Sequence, residues 1–142
     1  MISGVGGETI AGILNDAPWT RKQGVSLILQ PQSKAGELCR WFRGNGYVIR
    51  GAKLTIDNDR FYVVMLVRGG EANSALEPEI ELLARLMYDR DRLFPGYIDD
   101  LIFKTQKALE GMKKSGAPEL LETALLLSVY VGLKEANERF TE

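Results

Sequence analysis

The chain of 142 residues has no histidine and one cysteine, Cys39. Histidine is the commonest general base and the commonest metal ligand, so serine–histidine triads and histidine zinc sites are excluded. A lone cysteine rules out an internal disulfide and any cysteine-cluster metal site, and no metal is expected. Long apolar runs are missing too. The longest lies near Ala124–Leu133. It is roughly half the ~20 residues that cross a bilayer and reads as a buried helix. No basic segment followed by an apolar core opens the chain, so no signal peptide is expected. The expected setting is a reducing cytoplasm, with no membrane partner.

A large excess of either charge is also absent. The formal net charge is −1, but it is uneven. Residues 1–70 carry nine Lys/Arg and five Asp/Glu, whereas residues 71–142 carry nine and fourteen. The first half is thus +4 and the second −5. A half of +4 can face phosphate but falls far below the footprint of a dedicated nucleic-acid binder. Ordinary solvated surface is the favoured reading over an RNA patch. The length and the 45% hydrophobic content fit one domain, or a half-domain with an appendage.

What is present begins with Ser3-Gly4-Val5-Gly6-Gly7 after two residues of strand character. Ile10, Ile13 and Leu14 then mark one face of a short helix over about 7–15. Val25–Leu29 is a compact β-rich run closed by Gln30-Pro31. It shows no clear alternation, so it reads as a strand buried on both faces. Ser33 is placed to cap a helix over about 33–44, with Leu38, Trp41 and Phe42 inward. Tyr47–Ile56 and Arg60–Val67 are strands joined by Asp57-Asn58-Asp59, strong turn chemistry for an antiparallel hairpin. The alternation predicts a mainly parallel, three-layer α/β sheet with one antiparallel strand.

Gly69–Leu76 is polar and rich in small residues, and marks the expected domain boundary. This gives an α/β part over 1–69 and a helical part over 77–142. Glu79–Tyr88 reads as helix. A longer helix begins at Pro95 with near-heptad apolar spacing from Ile98 to Met112. Gly116 ends it, and Pro118 suits the first turn of the last helix. Two helices joined by a short break predict an antiparallel, coiled-coil-like hairpin.

Chemistry is expected at the carboxyl ends of the strands, where open α/β sheets bind ligands. The first end is Ser3-Gly4-Val5-Gly6-Gly7, whose glycines permit close backbone approach and leave amides at a helix N-terminus. A tight structural turn is an equally good reading. The second end is Gln30-Pro31: Gln30 donates and accepts hydrogen bonds, and Pro31 stiffens the exit. Arg40 and Arg43, three apart on one helix, are candidate phosphate contacts, although a solvated face is the simpler account. Glu8 and Glu37 read as first-turn carboxylates that complement helix dipoles. Asp89-Arg90-Asp91-Arg92 reads as a solvated charge run.

These residues carry a resemblance. Ser-Gly-Val-Gly-Gly at 3–7 with Ile10 and Leu14, Leu-Ile-Leu-Gln-Pro at 27–31, and Leu38, Arg40 and Trp41 come first. Asn45-Gly46-Tyr47, Ile49, Phe61-Tyr62, Leu93-Phe94-Pro95 and Tyr97 follow. Together, over about residues 2–114, they resemble the bacterial tRNA adenine-22 N1-methyltransferase family. The resemblance implies part of a Rossmann-like class I methyltransferase sheet, S-adenosylmethionine as cofactor and tRNA as substrate. It implies that Gly4, Val5, Gly6 and Gly7 form the catalytic, substrate-side loop after the family's fourth strand. Ser3, Gln30, Pro31, Arg40 and Arg43 are then the substrate-binding candidates.

The family's main cofactor-binding segments lie before the region matched, so no cofactor-binding residue is assigned in this chain. Adenine N1 carries a free lone pair at neutral pH, and the reaction needs positioning more than a strong base. The expectation is a methyltransferase-like fragment that is inactive alone. The alternative is a non-catalytic RNA-binding or assembly module, or one half of a split enzyme. Association is expected as a homodimer, or with a missing N-terminal half. The expected contacts are residues 1–31 or the apolar face of Leu120–Leu133.

Overall fold

A computed structural model describes residues 1–140. The chain divides into two compact units, Met1–Asp91 and Arg92–Glu142. The first contains β1 (Ile2–Ser3), α1 (Gly7–Asn15), β2 (Leu27–Gln30), α2 (Ala35–Gly44), β3 (Tyr47–Asp57), β4 (Arg60–Gly69) and α3 (Pro78–Tyr88). The second contains α4 (Phe94–Ser115) and α5 (Leu120–Phe140). The Gly69–Leu76 segment reads as a boundary in sequence, yet α3, which follows it, packs on α2 and β3. Asp91 reinforces this placement: its Oδ2 accepts from the Leu54 amide of β3 at 2.9 Å. One residue of the expected solvated charge run thus closes the first unit.

The sheet order is β1-β2-β4-β3. β1 and β2 are parallel, and β4 is antiparallel to both its neighbours. Three strands run one way and β4 the other, as the hairpin implied. Two of the three neighbouring pairs are nevertheless antiparallel, so the expectation of a mainly parallel sheet is corrected at the level of pairing. The cause is local. Asn58 and Asp59 both adopt positive φ, 50° and 62°, which makes a tight two-residue turn. Such a turn returns β4 directly alongside β3. β4 then inserts next to β2 and leaves β3 at the edge.

The two faces of the sheet differ in burial. Burial alternates along β4: Val63, Met65 and Val67 are buried, while Tyr62, Val64 and Leu66 are part-exposed. Ile28, paired with Leu66, is 44% exposed, whereas its neighbour Leu29 is fully buried. Successive strand residues point to opposite faces. One face therefore lies beneath the layer in which α1 packs on α2 and α2 on α3. The other face carries Ile28, Val64 and Leu66, none of which is buried.

Aromatic packing ties the base of this unit together. Tyr47 is buried, stacks on Trp41 at 5.6 Å, and shares a 2.6 Å hydrogen bond between its hydroxyl and Thr20 Oγ1. Thr20 belongs to a 3₁₀ turn at Pro18–Arg21, and the Arg21 guanidinium lies over the Tyr47 ring at 5.4 Å. Ser33 does not cap α2. Lys34 takes the cap position in the left-handed region at φ 58°, without a side-chain cap bond.

In the second unit, α4 ends at Gly116, whose φ of 67° suits a glycine cap. α5 returns antiparallel, and Lys134 of α5 pairs with Asp99 near the start of α4 at 2.8 Å. This ion pair raises the Lys134 pKa. Pro118 lies in the turn that precedes α5.

The one-sided sheet makes a direct test. Leu29→Ala should cost about 2–5 kcal/mol in urea unfolding, as for a buried leucine. Ile28→Ala, on the part-exposed face, should cost less than about 1 kcal/mol. Equal losses would mean that the outer face is covered in solution.

Candidate functional site

The site candidates meet at the carboxyl ends of β1 and β2. The parallel register sets Ser3 opposite Gln30, so the two strand exits lie side by side. Gly4 turns the chain at φ 78°, and a Cβ there would meet nothing within 4 Å. The Val5 carbonyl accepts from the Gln32 amide at 2.8 Å, and the Gly7 amide donates to the Ser33 carbonyl at 2.9 Å. The two loops are thus laced by backbone bonds. A Cβ on Gly7 would lie 2.7 Å from the Lys34 carbonyl oxygen, and one on Gly6 would lie 2.9 Å from Ser33 Oγ. Gly7, which faces backbone, is required by the chain's own close packing, whereas the Ser33 hydroxyl can turn away from a Cβ on Gly6. The Gly7 amide, expected to be open to a ligand at the start of α1, is used inside the protein.

Glu8, in the first turn of α1, pairs with Lys34 across the two loops. Its hydrogen bond and charge raise the Lys34 pKa. Pro31 is buried, Gln30 is half-buried, and Ser3 and Gly4 are exposed. The structure therefore brings together Ser3, Gly4, Val5, Gly6, Gly7, Gln30 and Pro31.

Arg40 and Arg43 are not brought to that cluster. They lie about 8 and 12 Å along α2 from its first residue. Arg40 pairs with Glu77 at 3.2 Å and Glu79 at 3.7 Å. Arg43 pairs with Glu81 and donates to the Leu76 carbonyl. Both guanidinium groups join α2 to the acidic start of α3. Sequence reasoning passed over Gln32 and Lys34, and gave Ser33 only a capping role. Their polar run directly after a strand end was a usable signal. The left-handed Lys34 was not, because a lysine gives no cue for positive φ.

A cavity of about 30 Å³ lies elsewhere, between α2, α3 and β3, lined by Cys39, Phe42, Arg43, Glu81, Leu82 and Arg85 among others. It holds little more than one water. Burial pushes the Cys39 thiol up to about 12, reinforced by the Glu79 and Glu77 carboxylates. Such a thiol is inert rather than nucleophilic. Among the described residues no group of side chains is arranged to hold a metal, and no helix is long and apolar enough to cross a membrane.

A parallel β-pair with a glycine-rich strand-to-helix turn, continued into an antiparallel hairpin beneath one helical layer, defines a Rossmann-like α/β domain. The sequence profile of the tRNA (adenine(22)-N(1))-methyltransferase family, TrmK, matches residues 1–125, and the chain belongs to that family. No curated protein matches the chain. Solved structures do. A Streptococcus agalactiae protein of the NADB-Rossmann superfamily aligns with a TM-score of 0.75 at 21% identity, covering 92% of this chain and 57% of its own. The B. subtilis M1A22 tRNA methyltransferase TrmK aligns at 0.73 and 20% identity, covering 92% and 60%. M. capricolum TrmK, solved with S-adenosyl-homocysteine, aligns at 0.68 and 19%, covering 94% and 58%. The chain thus spans about three fifths of the length of these structures.

The described residues do not fit a cofactor holder by themselves. The space beside Gly6 and Gly7 is filled by Ser33 and Lys34, and the Gly7 amide is already bonded. No carboxylate of the cluster is placed for a ribose, since Glu8 is held by Lys34.

Two measurements test this site. Gly7→Ala should lower stability by about 1–3 kcal/mol through overpacking against Lys34. Gly12→Ala, where a Cβ meets nothing within 4 Å, should raise it by up to about 1 kcal/mol. Native Cys39 should resist Ellman's reagent at pH 8 and react once unfolded. Its folded pKa lies above its ordinary value of 9.0, so its contribution to stability is complete below about pH 9. That contribution should fall as the pH rises from about 9 towards 12, and a Cys39→Ala variant should lack this part of the alkaline loss.

Proposed function

We propose that this chain supplies the substrate-side portion of an S-adenosylmethionine-dependent tRNA adenine-N1 methyltransferase, and transfers no methyl group on its own. The observation that carries the reading is the pairing of Ser3 with Gln30 beneath the laced loops, within a chain of this family. Gly4 offers a backbone carbonyl, and Gln30 a side-chain amide, where an adenine edge can be held. An acceptor aimed at the exocyclic amine stabilises the charge that develops as N1 is methylated. The cofactor, when bound, supplies the electrophilic methyl group. The residues that would hold it are not assigned to this chain.

The part-exposed apolar sheet face supports a division of labour. Ile28, Val64 and Leu66 are apolar side chains of the kind that a second helical layer covers in an α/β fold. β1 pairs with β2 on one side only. We therefore propose an N-terminal half-domain as the partner that completes the site, with tRNA as the substrate of the whole. Arg40 and Arg43, engaged with α3, favour this over a free-standing RNA-binding module.

Transfer of tritium from labelled S-adenosylmethionine to unmodified tRNA tests the proposal. The chain alone should show no turnover, because loss of oriented positioning removes about 7–11 kcal/mol of catalysis. Adding the N-terminal part of a family member should restore measurable transfer. Full turnover by the chain alone would overturn the division, and silence with a bound N-terminal part would overturn the assigned chemistry.

A further inference from the structure

β3 lies at the edge of the sheet, is 11 residues long and carries Val48, Ile49, Ala52, Leu54 and Ile56. Long apolar edge strands are templates for strand addition by another chain. Which of its backbone groups face the open side follows from the hairpin. Asp57 and Arg60 close the two-residue turn as a hydrogen-bonded pair, and bonded pairs alternate along an antiparallel ladder. Ile56, Leu54 and Ala52 therefore turn their N–H and C=O groups away from β4.

α3 and the turn that ends it occupy part of this edge. Asp91 Oδ2 accepts from the outward Leu54 amide at 2.9 Å. Arg85 Nη1 and Nη2 donate to the carbonyls of Arg50 and Ile49, both at 3.3 Å, where the β3–β4 register shifts between Ile49 and Gly51. The helix end delivers Asp91. The Arg90 amide donates to the Met87 carbonyl and the Asp91 amide to the Leu86 carbonyl, both at 3.1 Å, with Arg90 left-handed at φ 55°. This doubly bonded stop, usually built on glycine, turns the chain so that Asp91 reaches back to β3. Among the described residues nothing bonds the outward amides of Ala52 and Ile56.

We propose that docked α3 blocks strand addition at β3, and that loss of the Asp91 and Arg85 contacts lets β3 pair with β3 of a second copy of this chain. A second copy is the occupant because the strand is self-complementary. In an antiparallel pair centred on Leu54, Ala52 meets Ile56, Lys53 meets Thr55 and Gly51 meets Asp57, each twice by symmetry. The outward groups of residues 52, 54 and 56 then bond one another, and no like charges stand directly opposed. The central amide of that pair is the one Asp91 holds. The inference draws on the first unit alone and does not depend on the methyltransferase reading.

Amide hydrogen exchange of the full chain is the first test. After allowance for intrinsic rates, the Leu54 amide should exchange at least about tenfold more slowly than those of Ala52 and Ile56. Equal exchange at the three overturns the proposal, whatever the variants do. Arg85→Ala combined with Asp91→Ala should strengthen self-association at least about tenfold over the wild-type chain in sedimentation velocity, and slow exchange at Ala52 and Ile56. Adding Ile56→Pro removes an outward N–H without touching the β3–β4 ladder, and should abolish that gain. A double variant with native circular dichroism that associates no more than wild type refutes the edge assignment. So does a gain that survives Ile56→Pro.

Discussion

Burial of Leu29, Val63, Met65 and Val67 on one face of the sheet is the contact on which the rest of the first unit depends. Each is 2% exposed or less. Burying such a side chain contributes roughly 1.5–3 kcal/mol before conformational entropy is counted. The same strands place Ile28, Val64 and Leu66 on the opposite face, where no comparable burial occurs. Holding β1 beside β2 on this one-sided foundation is what aligns Ser3 with Gln30. The candidate site therefore inherits its geometry from the inner core.

Above that core the constraint becomes steric. α1 can begin where it does only because Gly7 has no side chain to strike the Lys34 carbonyl. The lacing bonds between residues 5–7 and 32–33 turn two strand exits into one rigid lip. A rigid scaffold of this type suits a reaction governed by positioning. It also explains why the glycines, which look like a ligand cradle in sequence, leave little room for a ligand beside Gly6 and Gly7. Only Gly4 faces open space.

The charged residues mostly serve structure. Arg40 and Arg43 meet Glu77, Glu79 and Glu81, so the basic side of α2 and the acidic start of α3 neutralise one another. Exposed pairs of this type are individually worth little, about 0–1 kcal/mol. As a group they specify which face of α2 receives α3. Glu77 also caps α3, accepting from the Glu79 and Ile80 amides. An apparent phosphate-binding pair thus becomes a docking element within the unit.

Much was legible from local chemistry alone. The hairpin turn at Asn58-Asp59, the helix stop at Gly116, the apolar faces of α1 and α2 and the glycine loop after β1 all follow from the preferences of a few adjacent residues. The family resemblance was readable for the same reason, since its motifs sit at strand ends and turns. Tertiary structure decided what depends on distant neighbours. Apolar runs such as Leu27–Leu29 suggest burial on both faces, but whether a second layer is present is a property of the assembled chain. Arg40 and Arg43 acquire their acidic partners 37 to 39 residues away, which no local pattern encodes. The position of α3 was likewise set by packing on α2 and by the Asp91–Leu54 bond rather than by the small-residue segment before it. The sequence by itself determined the elements and the family. Only the tertiary structure decided which glycines are spent on internal packing, because a close approach between two loops exists only once both strands are paired.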